Sequence, residues 1–126
     1  MNSSINNIKP GGTTAWLHKW IKIGDETLSL NEIENNKLRK PYKDARIHFV
    51  INCASFSCPR LRNEAFTAER LNEQLGDQMK GFINNKTKNK LDPDNPKMSK
   101  LFKWYRGDFK DTGKSVWQND TLKIKF

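Results

Sequence analysis

Residues 46–53, Arg-Ile-His-Phe-Val-Ile-Asn-Cys, set the first condition that any fold of this 126-residue chain must meet. The middle of the run is apolar at consecutive positions, so both of its faces ask for burial. A short run of that kind is the pattern of a central, buried strand. A loop of small polar residues, 54–59, follows it and closes on Pro59. The expected picture is an interior strand that presents the next turn as a polar pocket.

The rest of the chain supplies what such a strand would pack against. Trp20-Ile21-Lys22-Ile23 and Thr27-Leu28-Ser29-Leu30 flank Gly24-Asp25-Glu26, the pattern of a β-hairpin over 19–23 and 27–30. Ser29 followed by Glu32 is a capping box that opens a helix over 31–39, and Pro41 is expected to stop it. Thr67 is placed to cap the longest helix, 68–84, in which Leu71, Leu75, Met79, Phe82 and Ile83 form one apolar stripe. Ser99 caps a further helix over 99–107, with Leu101, Phe102, Trp104 and Tyr105 as its packing face. The alternating residues 121–126 read as a lysine-bearing edge strand. The expected fold class is α+β, a small and mostly antiparallel sheet packed with helices, with residues 1–126 as a single domain.

Composition agrees with a folded core. Hydrophobic residues make up only 35% of the chain, but seven Phe, four Trp and two Tyr carry large burial areas. A domain of this length buries about 65% of the surface its unfolded chain exposes. The balance of 23 Lys and Arg against 14 Asp and Glu gives a net charge of +9, which bears on solubility and on attraction to polyanions, not on fold. The basic residues cluster at Lys37, Arg39, Lys40, Lys43 and Arg46, at Lys86, Lys88 and Lys90, and at Lys97, Lys100 and Lys103. Without a nucleic-acid-binding motif these clusters read as solvated element ends, and nucleic acid is not the expected partner. Residues 1–10 lack the apolar centre of a signal peptide, and no stretch reaches the length of a membrane span. The protein is therefore expected in the cytosol, or separated from a leader.

His48, Cys53, Ser55 and Cys58 fall within eleven residues, and three chemistries fit them. In the first, Cys53 is a thiolate nucleophile and a histidine is its base. On a regular strand His48 and Cys53 face opposite sides about 16 Å apart, so they form a dyad only if the chain folds back. His18 is the other imidazole, and nothing in the sequence brings it near. In the second, Cys53 and Cys58 pair as a disulfide, which the Cys-x4-Cys spacing permits without requiring. The same cysteines and histidines match a zinc-ligand count but not zinc-ligand spacing, so no metal or other cofactor is implied. In the third, Cys53 is a small buried hydrophobe, His48 is a satisfied core histidine, and Ser55 and Ser57 bond the loop backbone.

Residues 44–69, Asp-Ala-Arg-Ile-His-Phe-Val-Ile-Asn-Cys-Ala-Ser-Phe-Ser-Cys-Pro-Arg-Leu-Arg-Asn-Glu-Ala-Phe-Thr-Ala-Glu, closely resemble the signature of the uncharacterised family numbered 547 among the domains of unknown function. The resemblance extends upstream through 29–34 and downstream to 99–105 and Asp108-Phe109, about residues 8–110 in all. It implies a bacterial-type domain, often exported, with no biochemical activity attached. Carried over residue by residue, it marks Arg46, His48, Cys53, Ser55, Cys58, Pro59 and Arg62. Arg62 and Glu64 would share a face, with Arg46 as a third member of a network fixing the loop. The chain departs from the family pattern at an expected first helix, at Asn35 where the family has a histidine, and at its tail. If the loop forms an active site, the expected activity is that of a thiol-dependent hydrolase or transferase, with Cys53 as nucleophile, a histidine as base and Arg46 or Arg62 orienting an anion. The competing expectation is a non-catalytic interaction module, using its basic surface or the face left by the absent first helix.

Overall fold

In the computed structural model, residues 5–92 and 94–111 are described, and they divide between Tyr42 and Lys43 into two compact units. The expected strand over 121–126 lies outside the described residues. Helices and a two-stranded antiparallel sheet make an α+β fold.

In the first unit, β1 (Ile21–Ile23) pairs with β2 (Glu26–Leu28), Ile21 opposite Leu28 and Ile23 opposite Glu26. Gly24 takes φ 58°, the left-handed value that a two-residue hairpin turn needs at its first position. Directly after β2 the capping box forms as the sequence predicts. The Glu32 amide donates to Ser29 Oγ at 3.1 Å, and Glu32 Oε2 accepts from the Ser29 amide at 2.9 Å. The helical path then runs from α1 (Leu30–Glu32) through a π-helical stretch, Ile33–Arg39, into α2 (Lys40–Tyr42). Pro41 therefore lies inside the last turn and does not stop the helix before it. The preceding turn is wide, with the Lys40 amide bonded to the Asn35 carbonyl five residues back. A π-turn does not aim the i−4 carbonyl at the proline ring as an α-turn does, which removes the usual conflict.

The second unit corrects the central expectation of the sequence. Residues 46–53 are not a strand: Ala45–Phe49 form a 3-10 helix, and an irregular segment continues from it. Asp44 caps this turn by accepting from the Arg46 amide at 2.9 Å. A short run that is apolar on all sides asks for burial without choosing its period, and the aspartate ahead of it decides for a helical start. Ala45, Ile47, His48 and Phe49 are all buried there. Phe49, wholly buried, meets Phe82, Phe102 and Phe109 at ring-centroid distances of 5.5, 6.0 and 5.6 Å. Tilted aromatic pairs at such distances add to the burial itself.

α3 (Leu71–Ile83) supplies Phe82 and Ile83 to this core. It begins later than expected, and Thr67 does not cap it. The Thr67 amide instead donates to Gln74 Oε1 at 3.0 Å, while Gln74 Nε2 donates to the Ala65 carbonyl at 2.9 Å. The apolar stripe is also narrower than the spacing predicts, because Leu71 is 42% exposed. At the other end, buried Asn89 donates to the Phe82 and Ile83 carbonyls and accepts from the Ser99 amide. One side chain thus closes α3 and leads into α4 (Lys100–Trp104), which Ser99 caps through the Leu101 amide at 3.2 Å. Leu101 and Phe102 face the core as expected, whereas Trp104 is 50% exposed. The helix expected over 99–107 breaks at Tyr105, and α5 (Arg106–Asp111) brings Phe109 inward.

Two stability predictions follow from these contacts. Phe49→Ala should cost about 3–5 kcal/mol in urea unfolding, as for other buried aromatics, whereas Phe56→Ala, at an exposed position, should change stability by less than about 0.5 kcal/mol. Burial works to raise the Asp44 carboxyl, but hydrogen bonds and charge from Arg46 outweigh it and hold the carboxyl below its usual range. A carboxylate lowered on folding stabilises the protein above its unfolded pKa of about 3.9 and loses that contribution as pH falls through the lower folded value. Asp44→Asn should therefore be less stable than wild type at neutral pH, with the difference shrinking in acid; a pH-independent difference would contradict this.

Candidate functional site

The 3-10 helix ends at Phe49, and the chain then enters a tight loop built on its own side chains. The Ala54 amide donates to Asn52 Oδ1 at 2.7 Å, while Asn52 Nδ2 donates across the loop to the Pro59 carbonyl at 2.6 Å. Ala54 sits at φ 59°, a left-handed conformation held by this turn. Ser55 receives the Ser57 amide on Oγ at 3.2 Å and the Cys58 amide on its carbonyl at 2.9 Å. Cys53 and Cys58 are joined as a disulfide, with Cα atoms 6.3 Å apart. The two cysteines differ in setting: Cys53 is half-buried, whereas Cys58 is only 3% exposed. The Cys53 amide also donates to Cys58 Sγ at 3.4 Å.

Three successive loop carbonyls are taken up by residues from beyond α3. Lys88 Nζ donates to the carbonyls of Phe56 and Cys58, the latter at 2.8 Å, and lies 4.7 Å from the centre of the Phe56 ring. Ser99 Oγ donates to the Ser57 carbonyl at 2.7 Å. Ser99 therefore caps α4 and holds the loop with the same hydroxyl. Phe56, at the loop tip, is 77% exposed.

The other residues singled out by the sequence have partners of their own. His48 is 2% exposed, with Nε2 2.7 Å from Asp108 Oδ2 and its ring stacked 3.8 Å from that of Tyr105. Arg46 grips Asp44 through Nε and Nη2 and reaches Asn72 at 3.1 Å, near the start of α3. It is not a third member of the Arg62–Glu64 pair. Arg62 bonds Glu64 Oε1 through Nε and Nη2, at 2.8 and 2.5 Å, and Asp77 lies 3.7 Å away. The position expected for Arg46 is filled by Arg70, 3.2 Å from Glu64 Oε2. The Arg62 hydrogen bonds, followed by one from Gln74, hold the Glu64 carboxyl below its usual range.

Arg62 and Glu64 line a groove of about 660 Å³ that runs from Pro59 along α3 to Asn85, with Asp77 and Gly81 on its helical side. Lys88, Asn52, Asp77 and Asp108 were not identified from the sequence as site residues. Asp108 lies within the downstream stretch of family resemblance, which was a usable signal. Lys88 sits in a lysine cluster that reads as solvated, and no local pattern marks its role.

Residues 5–83, well over half of the chain, match the family described as Protein of unknown function, DUF547. The chain belongs to that family. The match covers the hairpin, the cysteine loop and α3 and ends at Ile83, before Leu101, Phe102 and Phe109 of the core. No curated protein and no solved structure matches this chain. Among the described residues of this DUF547 protein, no helix is long and apolar enough to cross a membrane.

Replacing the ammonium that spans the loop tests how the loop is held. Lys88→Met keeps the aliphatic stem and removes both carbonyl contacts. It should lower stability by about 1.5 kcal/mol and speed hydrogen exchange at the amides of residues 54–58. Unchanged exchange would mean that the disulfide and the Asn52 and Ser99 hydrogen bonds fix the loop without Lys88.

Proposed function

We propose that Cys53 and Cys58 are a reversible thiol–disulfide pair, that the domain acts in thiol transfer, and that Cys53 is the sulfur that meets the substrate. The observation that carries this reading is the unequal setting of the two bonded cysteines, Cys53 partly exposed and Cys58 buried. Exchange begins when an incoming thiolate attacks Cys53 Sγ. A new sulfur–sulfur bond forms there, and the bond to Cys58 breaks with its electron pair on Cys58. A second substrate thiolate then attacks the substrate sulfur of the mixed disulfide and displaces Cys53. The two substrate thiols leave as one disulfide, oxidised by two electrons, and Cys53 and Cys58 remain as the dithiol once protonated.

The surroundings of Cys58 suit a leaving thiolate. The Cys53 amide points at its sulfur, and the Lys88 ammonium is bonded to its own carbonyl. An N–H donor at the sulfur favours the charged form of a thiol. This chemistry needs no imidazole, because the attacking group arrives as a thiolate. A hydrolase would need a base beside Cys53, and in our reading His48 is structural, engaged by Asp108 and packed on Tyr105. A carbonyl-directed reaction is therefore the less favoured use of Cys53. The alternative of a non-catalytic interaction module draws on exposed Phe56 and Leu61, which flank Cys58 in sequence. It is favoured if the cysteine pair proves inert and Phe56→Ala abolishes binding of an apolar dye.

The direct test is to reduce the folded protein with an excess of dithiol, remove the reductant and add limiting iodoacetamide. Mass spectrometry of the singly labelled species should locate the label on Cys53. Labelling first on Cys58, or at neither cysteine while the protein is folded, would overturn the assignment.

A further inference from the structure

The thiol-transfer reading leaves the groove beside the loop unused, and its chemistry points to a substrate. The groove begins at Pro59, the residue after Cys58, whose carbonyl accepts from Asn52, the residue before Cys53. Its near end is therefore tied to both ends of the disulfide loop. At about 660 Å³ the groove is far larger than a small monothiol needs, and it falls in the range of sites that enclose ligands of several linked groups.

The lining indicates what kind of ligand. Arg62 has its charge met by Glu64 and Asp77, so it shapes the wall and offers little charge to a ligand. Arg60 is exposed and has no ion-pair partner among the described residues. The backbone N–H and C=O groups of Leu61, Arg62 and Asn63 make no hydrogen bond among the described residues, while the Arg60 carbonyl is taken by Gln78. An irregular segment with open donors and acceptors beside a groove is what an extended peptide can pair with, in the manner of an added strand. We propose that this groove seats an extended polypeptide substrate whose cysteine exchanges with Cys53, with an acidic side chain of that polypeptide on Arg60. The proposal rests on the thiol-transfer reading and names the substrate class for it.

Gly81 offers a clean way to block the groove. It lines the groove from α3, and a Cβ built there meets nothing within 4 Å, so a larger side chain projects into open space. The probes are a short synthetic peptide with one cysteine between acidic residues, and 2-mercaptoethanol. The readout is the rate of reduction of the Cys53–Cys58 disulfide by each, compared at equal thiolate concentration. In wild type the peptide should react at least about tenfold faster than 2-mercaptoethanol, and Gly81→Leu and Arg60→Glu should each lower that ratio by about tenfold. Far-ultraviolet circular dichroism confirms that each variant is folded, and Gly81→Ala, which favours the helix without filling the groove, should keep the wild-type ratio. A wild-type ratio near one, or a ratio untouched by Gly81→Leu, with 2-mercaptoethanol still exchanging, would overturn the groove assignment alone. A disulfide that neither thiol reduces in the folded protein would overturn the thiol-transfer reading and this proposal together.

Discussion

Burial of Phe49 is the constraint from which the arrangement of the second unit follows. Its ring lies among Phe82, Phe102 and Phe109, which come from three separate helices. Seating it requires the short turn Ala45–Phe49 to enter the core at a fixed point. The cysteine loop starts one residue later, at Val50, so it inherits a rigid origin. Its other contacts, from Lys88 and Ser99, come from the segment between α3 and α4, which the same aromatic cluster positions. Rigidity at the loop is thus a consequence of packing beneath it, and the disulfide adds a covalent closure to an arrangement already held by side chains.

Much of the fold was legible because its signals are local. The hairpin was readable from Gly24 between two alternating runs, and the capping box from Ser29 and Glu32 alone. α3 announced itself through Leu75, Met79, Phe82 and Ile83 at helical spacing. Its start was misplaced because Thr67 has the chemistry of a cap, while the decisive partner, Gln74, is a residue that rarely signals one. Residues 46–53 failed as a strand for a physical reason. Consecutive apolar residues carry no contrast between faces on which a periodicity argument can rest, and Asp44 was the better guide. Pro41 failed as a stop because the turn before it is π-helical, which sequence spacing does not reveal.

The site was legible as a region more than as a mechanism. Cys53, Ser55 and Cys58 were singled out, and all three lie in one loop. Arg62 and Glu64 were expected to share a face and do pair. His48 and Arg46 have the residue types of catalysis, and their partners are Asp108 and Tyr105 for the one, Asp44 and Asn72 for the other. Those partners include residues sixty and twenty-six positions away, beyond any local pattern. Lys88 shows the same limit from the other side. A lysine among lysines carries no mark in sequence, yet its ammonium bridges two loop carbonyls thirty residues and more behind it.

These features separate what holds the loop from what the loop exposes. Carbonyls and amides within 52–59 are largely spent on shape, and the chemistry left over is the sulfur pair. Whether that pair cycles while the fold persists is decided by equilibrating the protein across a series of oxidised and reduced dithiothreitol ratios, without denaturant. Thiol content and far-ultraviolet circular dichroism are followed together, and each sample is then returned to oxidising buffer. The account predicts that the disulfide opens and recloses along one curve while the dichroism stays constant. A disulfide that resists reduction until the protein unfolds, or that takes the fold with it when it opens, would contradict the account.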